Sequence, residues 1–152
     1  MNCPMPNSAP TDSGLLSVVL PAFNEEAMAP RAADGITQLL TAADIPFELL
    51  FVDDGSKDGS WAAIQTQAAR FPQVRGVRFS RNFGKEAAIF AGLAQVRGDC
   101  AAVMDCDLQH PPEKLEEMYR LWQQGYQVVE GGKVSRGKES PRHTLAVRCF
   151  YR

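Results

Sequence analysis

No stretch of this 152-residue chain stays apolar for the about 18 residues that a membrane-crossing helix needs, so it contains no spanning segment. Residues 1–14 are rich in Pro, Asn, Ser and Asp and have no apolar core. They read as a disordered leader and not as a secretory signal. Histidine is scarce, confined to His110 and His143. The four cysteines, Cys3, Cys100, Cys106 and Cys149, form no CxxC pair, and neither histidine stands at zinc spacing from them. That argues against a thiolate metal site and for reduced thiols in a cytoplasmic protein. Neither sign of charge dominates, with 16 Lys and Arg against 18 Asp and Glu and a net charge of −2. Nucleic acid is therefore not an expected partner. The GxxxxGK[ST] spacing is absent, as is GxGxxG after the first apolar run, so neither a P-loop nor a dinucleotide fingerprint is present. There is no internal repeat and no low-complexity linker.

What the chain has is a regular alternation, and 45% hydrophobic residues with which to build one core. Apolar runs at Leu15–Leu20, Phe47–Val52, Val74–Phe79, Cys100–Met104 and Tyr126–Glu130 read as five strands. In the third, Arg75 and Arg78 alternate with apolar residues, which suggests an edge or a half-exposed face. Between the strands lie helical stretches. Pro30–Ala43 has Ile36, Leu39 and Leu40 on one face, and Gly59–Phe71 has Trp61, Ile64 and Ala68. Lys85–Val96 is alanine-rich. The last helix begins at Pro111 or Pro112, turns Leu115, Met118, Leu121 and Trp122 inward, and ends at Gly125. Alternating strands and helices imply an α/β fold, a mostly parallel sheet with helices on both faces. Ligands of such sheets sit outside the carboxyl ends of the strands.

Polar residues gather at those strand ends. Pro21 cannot donate to a ladder and closes the first strand, leaving Asn24 and Glu25 at the sheet edge. These two serve either as turn residues or as ligand contacts. The second strand runs into Asp53-Asp54-Gly55, where a carboxylate can accept from a ribose hydroxyl or a base N–H. The same segment reads as an Asx turn with Asp58 or Ser60 capping the following helix, and both readings can hold. The third strand is followed by Arg81, Asn82 and Lys85 at a helix start, a setting that favours phosphate. The fourth leads into Asp105-Cys106-Asp107. Alternation along a strand aims both acids the same way, and two hard oxygen donors suit Mg²⁺ or Mn²⁺. Gln109 lies nearer the acids than His110 and is the better contact candidate. Gly131–Lys138 reads as a mobile basic loop.

Taken in order, VVLPAFNEE, LLFVDDGSKDGS, SRNFGKEAAIFAGL and MDCDLQHPPE resemble the family 2 glycosyltransferases of the GT-A nucleotide-diphospho-sugar transferase fold. SRNFGKEAA followed by DLQHPPE is similar to the polyprenyl-phosphate branch, which includes dolichol-phosphate mannosyltransferases and bactoprenol glucosyltransferases. The resemblance runs from Leu15 to the last residue. It implies that Pro21, Ala22, Asn24 and Glu25 line the base and ribose, and that Asp53, with Asp54 beside it, contacts the nucleoside. It places Arg81, Asn82 and Lys85 near the donor. It makes Asp105 and Asp107 the DxD pair that holds Mg²⁺ or Mn²⁺ against the diphosphate, with Gln109 as the glutamine of the DLQ segment. Arg136 falls where the family has a basic loop near the phosphates.

The implied reaction is metal-dependent, inverting transfer of a hexose from a UDP- or GDP-sugar to a polyprenyl phosphate, at the cytoplasmic face of the membrane in the full-length protein. Residues 15–152 would form the donor-binding domain. Two departures stand out. Cys106 replaces the alanine common between the two acids; it faces opposite to both, so the change is expected to be tolerated, although a soft thiol near a metal invites oxidation. The chain is also about half as long as the family's members and is expected to be missing their acceptor and membrane-surface part. Arg142, Arg148 and Arg152, interleaved with Leu145, Val147 and Phe150, could begin a membrane-surface helix. One rival reading is a catalytically incomplete sugar-nucleotide-binding fragment. Another, a phosphohydrolase with an Asp nucleophile, is disfavoured because its acid pair would follow the first strand. Whether the chain forms a homo-oligomer is left open.

Overall fold

A computed structural model describes residues 14–108 and 111–131. Residues 1–13 of the leader, Gln109, His110, residues 132–138 of the basic loop with Arg136, and the helix start beyond it lie outside the described residues. Four strands, β1 (Leu16–Ala22), β2 (Phe47–Asp53), β3 (Val74–Arg78) and β4 (Cys100–Val103), alternate with α1 (Met28–Ala42), α2 (Ser60–Arg70), α3 (Lys85–Leu93) and α4 (Glu113–Gln123). All pairings are parallel, in the order β3-β2-β1-β4. The two central strands are apolar on both faces and almost wholly buried, as doubly covered parallel strands must be.

Burial on two faces splits the core. Val18, Leu20, Leu49 and Phe51 pack with Ile36 and Leu40 of α1, Ile64 of α2, and Leu115 and Tyr119 of α4. Val19, Leu50 and Val52 meet α3 through Ala88 on the other face. Gly92 lets α3 approach the sheet, since a Cβ there would stand 2.3 Å from Val19 Cγ1. The chain winds outward through β2 and β3, then crosses back over the sheet through α3 to reach β4 beyond β1. This reversal opens a crevice at the carboxyl ends of β1 and β4, the position where open α/β sheets take ligands.

Three sequence expectations need correction. Tyr126–Glu130 is irregular and not a strand. Tyr126 N–H turns back to Leu121 O, and the Tyr126 and Val128 side chains are exposed, so their alternation meets no face to bury against. Pro21 does not close β1, which runs on to Ala22. Val19 O accepts from Met104 N–H, and alternation turns Pro21 to that same side, past the last β1–β4 pair, Val19–Val103. Its missing N–H therefore removes no ladder bond. In α4, Tyr119 is buried beside Leu115, while Met118, Leu121 and Trp122 are half-buried. The Tyr119 hydroxyl donates to Gly14 O at 2.7 Å. The edge reading of the third strand holds, since β3 is the outer strand with its side chains mostly half-exposed.

Candidate functional site

A cavity of about 260 Å³ occupies the crevice. Pro21, Ala22, Phe23 and Glu25 form its β1 side, and Asp54 closes it from the end of β2. Asn82, Gly84, Lys85 and Ala88 line the α3 side, with Asp105, Cys106 and Asp107 opposite. A second cavity of about 690 Å³ shares Phe23 and Asn82 and continues past Gly55, Ser56, Lys57, Arg78 and Arg81.

The two aspartates after β2 divide their work. Asp53 is fully buried, accepts from Ser56 N–H at 3.1 Å, and lies 3.1 Å from Arg78 Nε. Asp54 is the one that lines the cavity. Its carboxylate accepts Phe83 N–H at 2.7 Å and Gly84 N–H at 2.9 Å, which positions the start of α3. Between them and the β3–α3 loop there is no spare room. Gly55 has φ +67°, and a Cβ on it would meet the Arg81 carbonyl carbon at 2.4 Å.

Asn24 has φ +56° and does not line the first cavity. Its N–H donates to Ser56 Oγ at 2.9 Å, and its Oδ1 accepts Lys57 N–H at 3.0 Å, so it joins the β1 and β2 loops. Ser60 Oγ accepts Glu25 N–H at 2.6 Å and donates to Asp58 Oδ1 at 2.5 Å, while Asp58 Oδ1 also accepts Ser60 N–H. Asp58 thus makes the expected Asx turn, but neither it nor Ser60 caps α2, whose N-cap is Gly59 with no side-chain cap. Arg81 belongs to the second cavity, its guanidinium 4.8 Å from the centre of the Phe83 ring.

The acid pair sits where expected for a different reason. β4 ends at Val103, so Asp105 and Asp107 lie on the turn beyond it, not in the strand. They share the cavity because Cys106 between them is buried in the core with Met104 and Leu115. Burial, then Glu25, Asp107 and Asp105, push the Cys106 thiol up to about 12. It stays protonated near neutral pH. The Glu25 carboxyl is raised by its own burial and then by Asp107, Asp58 and Asp105, a sign of converging negative charge. Lys85 Nζ lies 2.5 Å from Asp105 Oδ1.

The donor set suits a hard cation. Among the described residues no three His, Cys, Asp or Glu side chains are grouped to enclose a metal. Two carboxylates with room for further oxygen ligands match the way Mg²⁺ is held by one or two carboxylates plus substrate phosphates. Phe23, Gly84 and Ala88 also line the cavity, which the sequence did not single out. Phe23, 43% exposed, carried one readable signal: a large aromatic placed after a strand end, among polar residues, with no core to enter.

The parallel α/β sheet is that of the GT-A fold of nucleotide-diphospho-sugar transferases, the fold of its solved neighbours. The glycosyl transferase family 2 model matches residues 17–149, and the chain belongs to that family. It is 37% identical over 90% of its length to the uncharacterized glycosyltransferase YkcC of Bacillus subtilis, covering 42% of that protein. It is 38% identical over 85% of its length to an undecaprenyl-phosphate 4-deoxy-4-formamido-L-arabinose transferase of Aeromonas hydrophila, covering 39% of it. A bactoprenol glucosyl transferase of Shigella phage SfV is 34% identical over 90% of the chain, which covers 45% of that protein. The chain thus spans about two fifths of the length of these relatives.

Among solved structures, the mannosyltransferase PcManGT from Pyrobaculum calidifontis, in complex with GDP-Man and Mn²⁺, superposes with a TM-score of 0.63 at 25% identity. That match covers 73% of this chain and 33% of the other. Glucosyl-3-phosphoglycerate synthase from Mycobacterium tuberculosis, in complex with Mn²⁺ and UDP-glucose, gives 0.58 at 28% identity, covering 74% and 40%. No described helix is long and apolar enough to cross a membrane.

Proposed function

We propose that residues 15–152 form the donor-binding part of a glycosyltransferase that moves a hexose from a UDP- or GDP-sugar to a polyprenyl phosphate, with inversion at the anomeric carbon and with Mg²⁺ or Mn²⁺ as cofactor. The observation that carries this reading is the meeting of Asp105 and Asp107 with Asp54, Lys85 and the start of α3 in one cavity. The polyprenyl-phosphate relatives and the two neighbours solved with sugar nucleotide and Mn²⁺ support it.

In this reading Phe23 offers a ring face to the base, while Pro21, Ala22 and Asp54 flank the nucleoside. Asn82 and Lys85 meet the diphosphate. Beside them are the N–H groups of the first turn of α3, whose ladder begins only with Ala88 N–H to Gly84 O. A divalent cation held by Asp105 and Asp107 would neutralise charge on the departing diphosphate. An acceptor phosphate oxygen forms the new bond to the anomeric carbon as the bond to the diphosphate breaks on the opposite face. The leaving nucleoside diphosphate keeps the electron pair. The acceptor is already an anion, so no side chain need take a proton from it. Gln109 and Arg136 complete the donor contacts by resemblance. Acting on a lipid acceptor, the protein would work at a membrane surface, in this reading its cytoplasmic face.

Thermal unfolding with UDP-glucose or GDP-mannose plus Mn²⁺ tests the binding claim. A ligand at about 100 times its Kd adds about 2.7 kcal/mol to the folded state, a clear rise in Tm. Absence of any shift with either sugar nucleotide would overturn it. Asp107→Ala is expected to fold normally and to lose the Mn²⁺-dependent part of the shift. The second reading is donor binding without transfer. Incubation with a radiolabelled donor and a polyprenyl phosphate separates the two, because only the first yields labelled lipid.

A further inference from the structure

We infer that Lys85 is the resident counter-ion of the acid pair: its ammonium holds Asp105 until a divalent cation displaces it, and it then turns to the donor diphosphate. The inference rests on the reading of Asp105 and Asp107 as cation ligands, and gives Lys85 a positioning role in that site.

Charge within the cavity makes the case. Glu25, Asp54, Asp105 and Asp107 bring four carboxyl groups to its wall, and among the described residues lining it Lys85 is the only cation. Its Nζ is 2.5 Å from Asp105 Oδ1, a direct ion pair. A cation entering between Asp105 and Asp107 must therefore compete with an ammonium already in place.

Lys85 is built to move when displaced. It is the first residue of α3, so its backbone is fixed by the helix while its side chain is more than half exposed. Lysine is a compact charge on a flexible stem, without the rigid fork that commits arginine to one carboxylate. Released from Asp105, the ammonium remains over the start of α3, where Gly84 is the N-cap and no side chain caps the helix. This is the place that favours an anion. A diphosphate there gives the displaced Lys85 a new partner. Metal and nucleotide should then each strengthen the other's binding, and by linkage the coupling is reciprocal.

The test uses Mn²⁺ alone as the first probe, with affinity read by electron paramagnetic resonance in the absence of nucleotide. Lys85→Met is expected to bind Mn²⁺ about two- to fivefold more tightly than wild type, in keeping with the modest strength of an exposed ion pair. Lys85→Arg, which keeps the charge, is expected to bind it no more tightly than wild type. Repeating the titration with saturating UDP, and separately GDP, is expected to show a smaller nucleotide-induced gain in Mn²⁺ affinity for Lys85→Met than for wild type. Equal or weaker binding of Mn²⁺ alone by Lys85→Met overturns the inference. Wild type that binds no Mn²⁺, or that binds it as Asp107→Ala does, overturns instead the acid-pair reading beneath it. Thermal unfolding of each variant confirms that the fold is retained.

Discussion

Asp54 Oδ2 accepts the Gly84 N–H at 2.9 Å, and this bond ties the end of β2 to the beginning of α3. The other carboxylate oxygen takes the neighbouring Phe83 N–H. Replacing the side chain with alanine leaves two backbone donors without partners. Asp54→Ala is expected to lower stability by about 1–3 kcal/mol, seen as a lower urea midpoint at unchanged slope. It is also expected to abolish nucleotide binding, because the start of α3 loses its position. Asp54→Asn, which keeps one acceptor oxygen, should fall between wild type and alanine.

Gly55 carries a different constraint. Its positive φ and its approach to the Arg81 backbone both exclude a Cβ. The obstructing atoms are backbone and cannot rotate aside. Gly55→Ala is expected to destabilise by about 1–3 kcal/mol and to shift the β3–α3 loop. Backbone amide exchange at Arg81–Gly84 measures that shift directly.

Phe23 is exposed and packs into no core, so its loss should scarcely alter stability. Stacking on an aromatic ring is worth about 1–3 kcal/mol per base by alanine substitution. Phe23→Ala is therefore expected to weaken UDP or GDP binding by about tenfold or more, measured calorimetrically, with Tm of the unliganded protein nearly unchanged. Phe23→Tyr should retain affinity.

At the opposite end of the sheet, buried Glu48 accepts from Ser17 Oγ at 2.7 Å and from Arg97 N–H at 2.7 Å, and pairs with Arg75. Burial alone would raise its carboxyl. The Ser17 hydroxyl, the Arg97 N–H and the Arg75 guanidinium outweigh burial and hold it below the usual 4.5. A depressed carboxyl contributes stability that is complete above its unfolded value and lost as pH falls through the folded one. The urea midpoint of wild type is thus expected to drop below about pH 4.5 more steeply than that of Glu48→Gln, which cannot titrate there.

The doubly buried strands were legible because continuous runs such as Val18–Leu20 and Leu49–Val52 leave no polar face. Tyr126–Glu130 was misread because alternation states a preference for a half-buried surface without supplying one. Helical spacing does not mark Tyr119 as an inward residue of α4, because its polar hydroxyl masks its burial. That group is satisfied by Gly14, 105 positions away, which helical spacing cannot reveal.

Local chemistry along the chain was enough to specify the alternation of strands and helices, the parallel sheet, and the strand-end motifs that resemble family 2 glycosyltransferases. Those signals are short-range: side-chain period, turn chemistry, and acids at a strand end. The division of labour within the motifs came from the packed fold. Asp53 and Asp54 are adjacent and chemically identical, yet only Asp54 lines the cavity, because Arg78 and the Ser56 N–H engage Asp53 beneath it. Lys85 and Asp105 meet across α3 and β4 only because the chain reverses its winding between β3 and β4. Contacts of that kind depend on which element crosses which face of the sheet, and that is settled by three-dimensional packing.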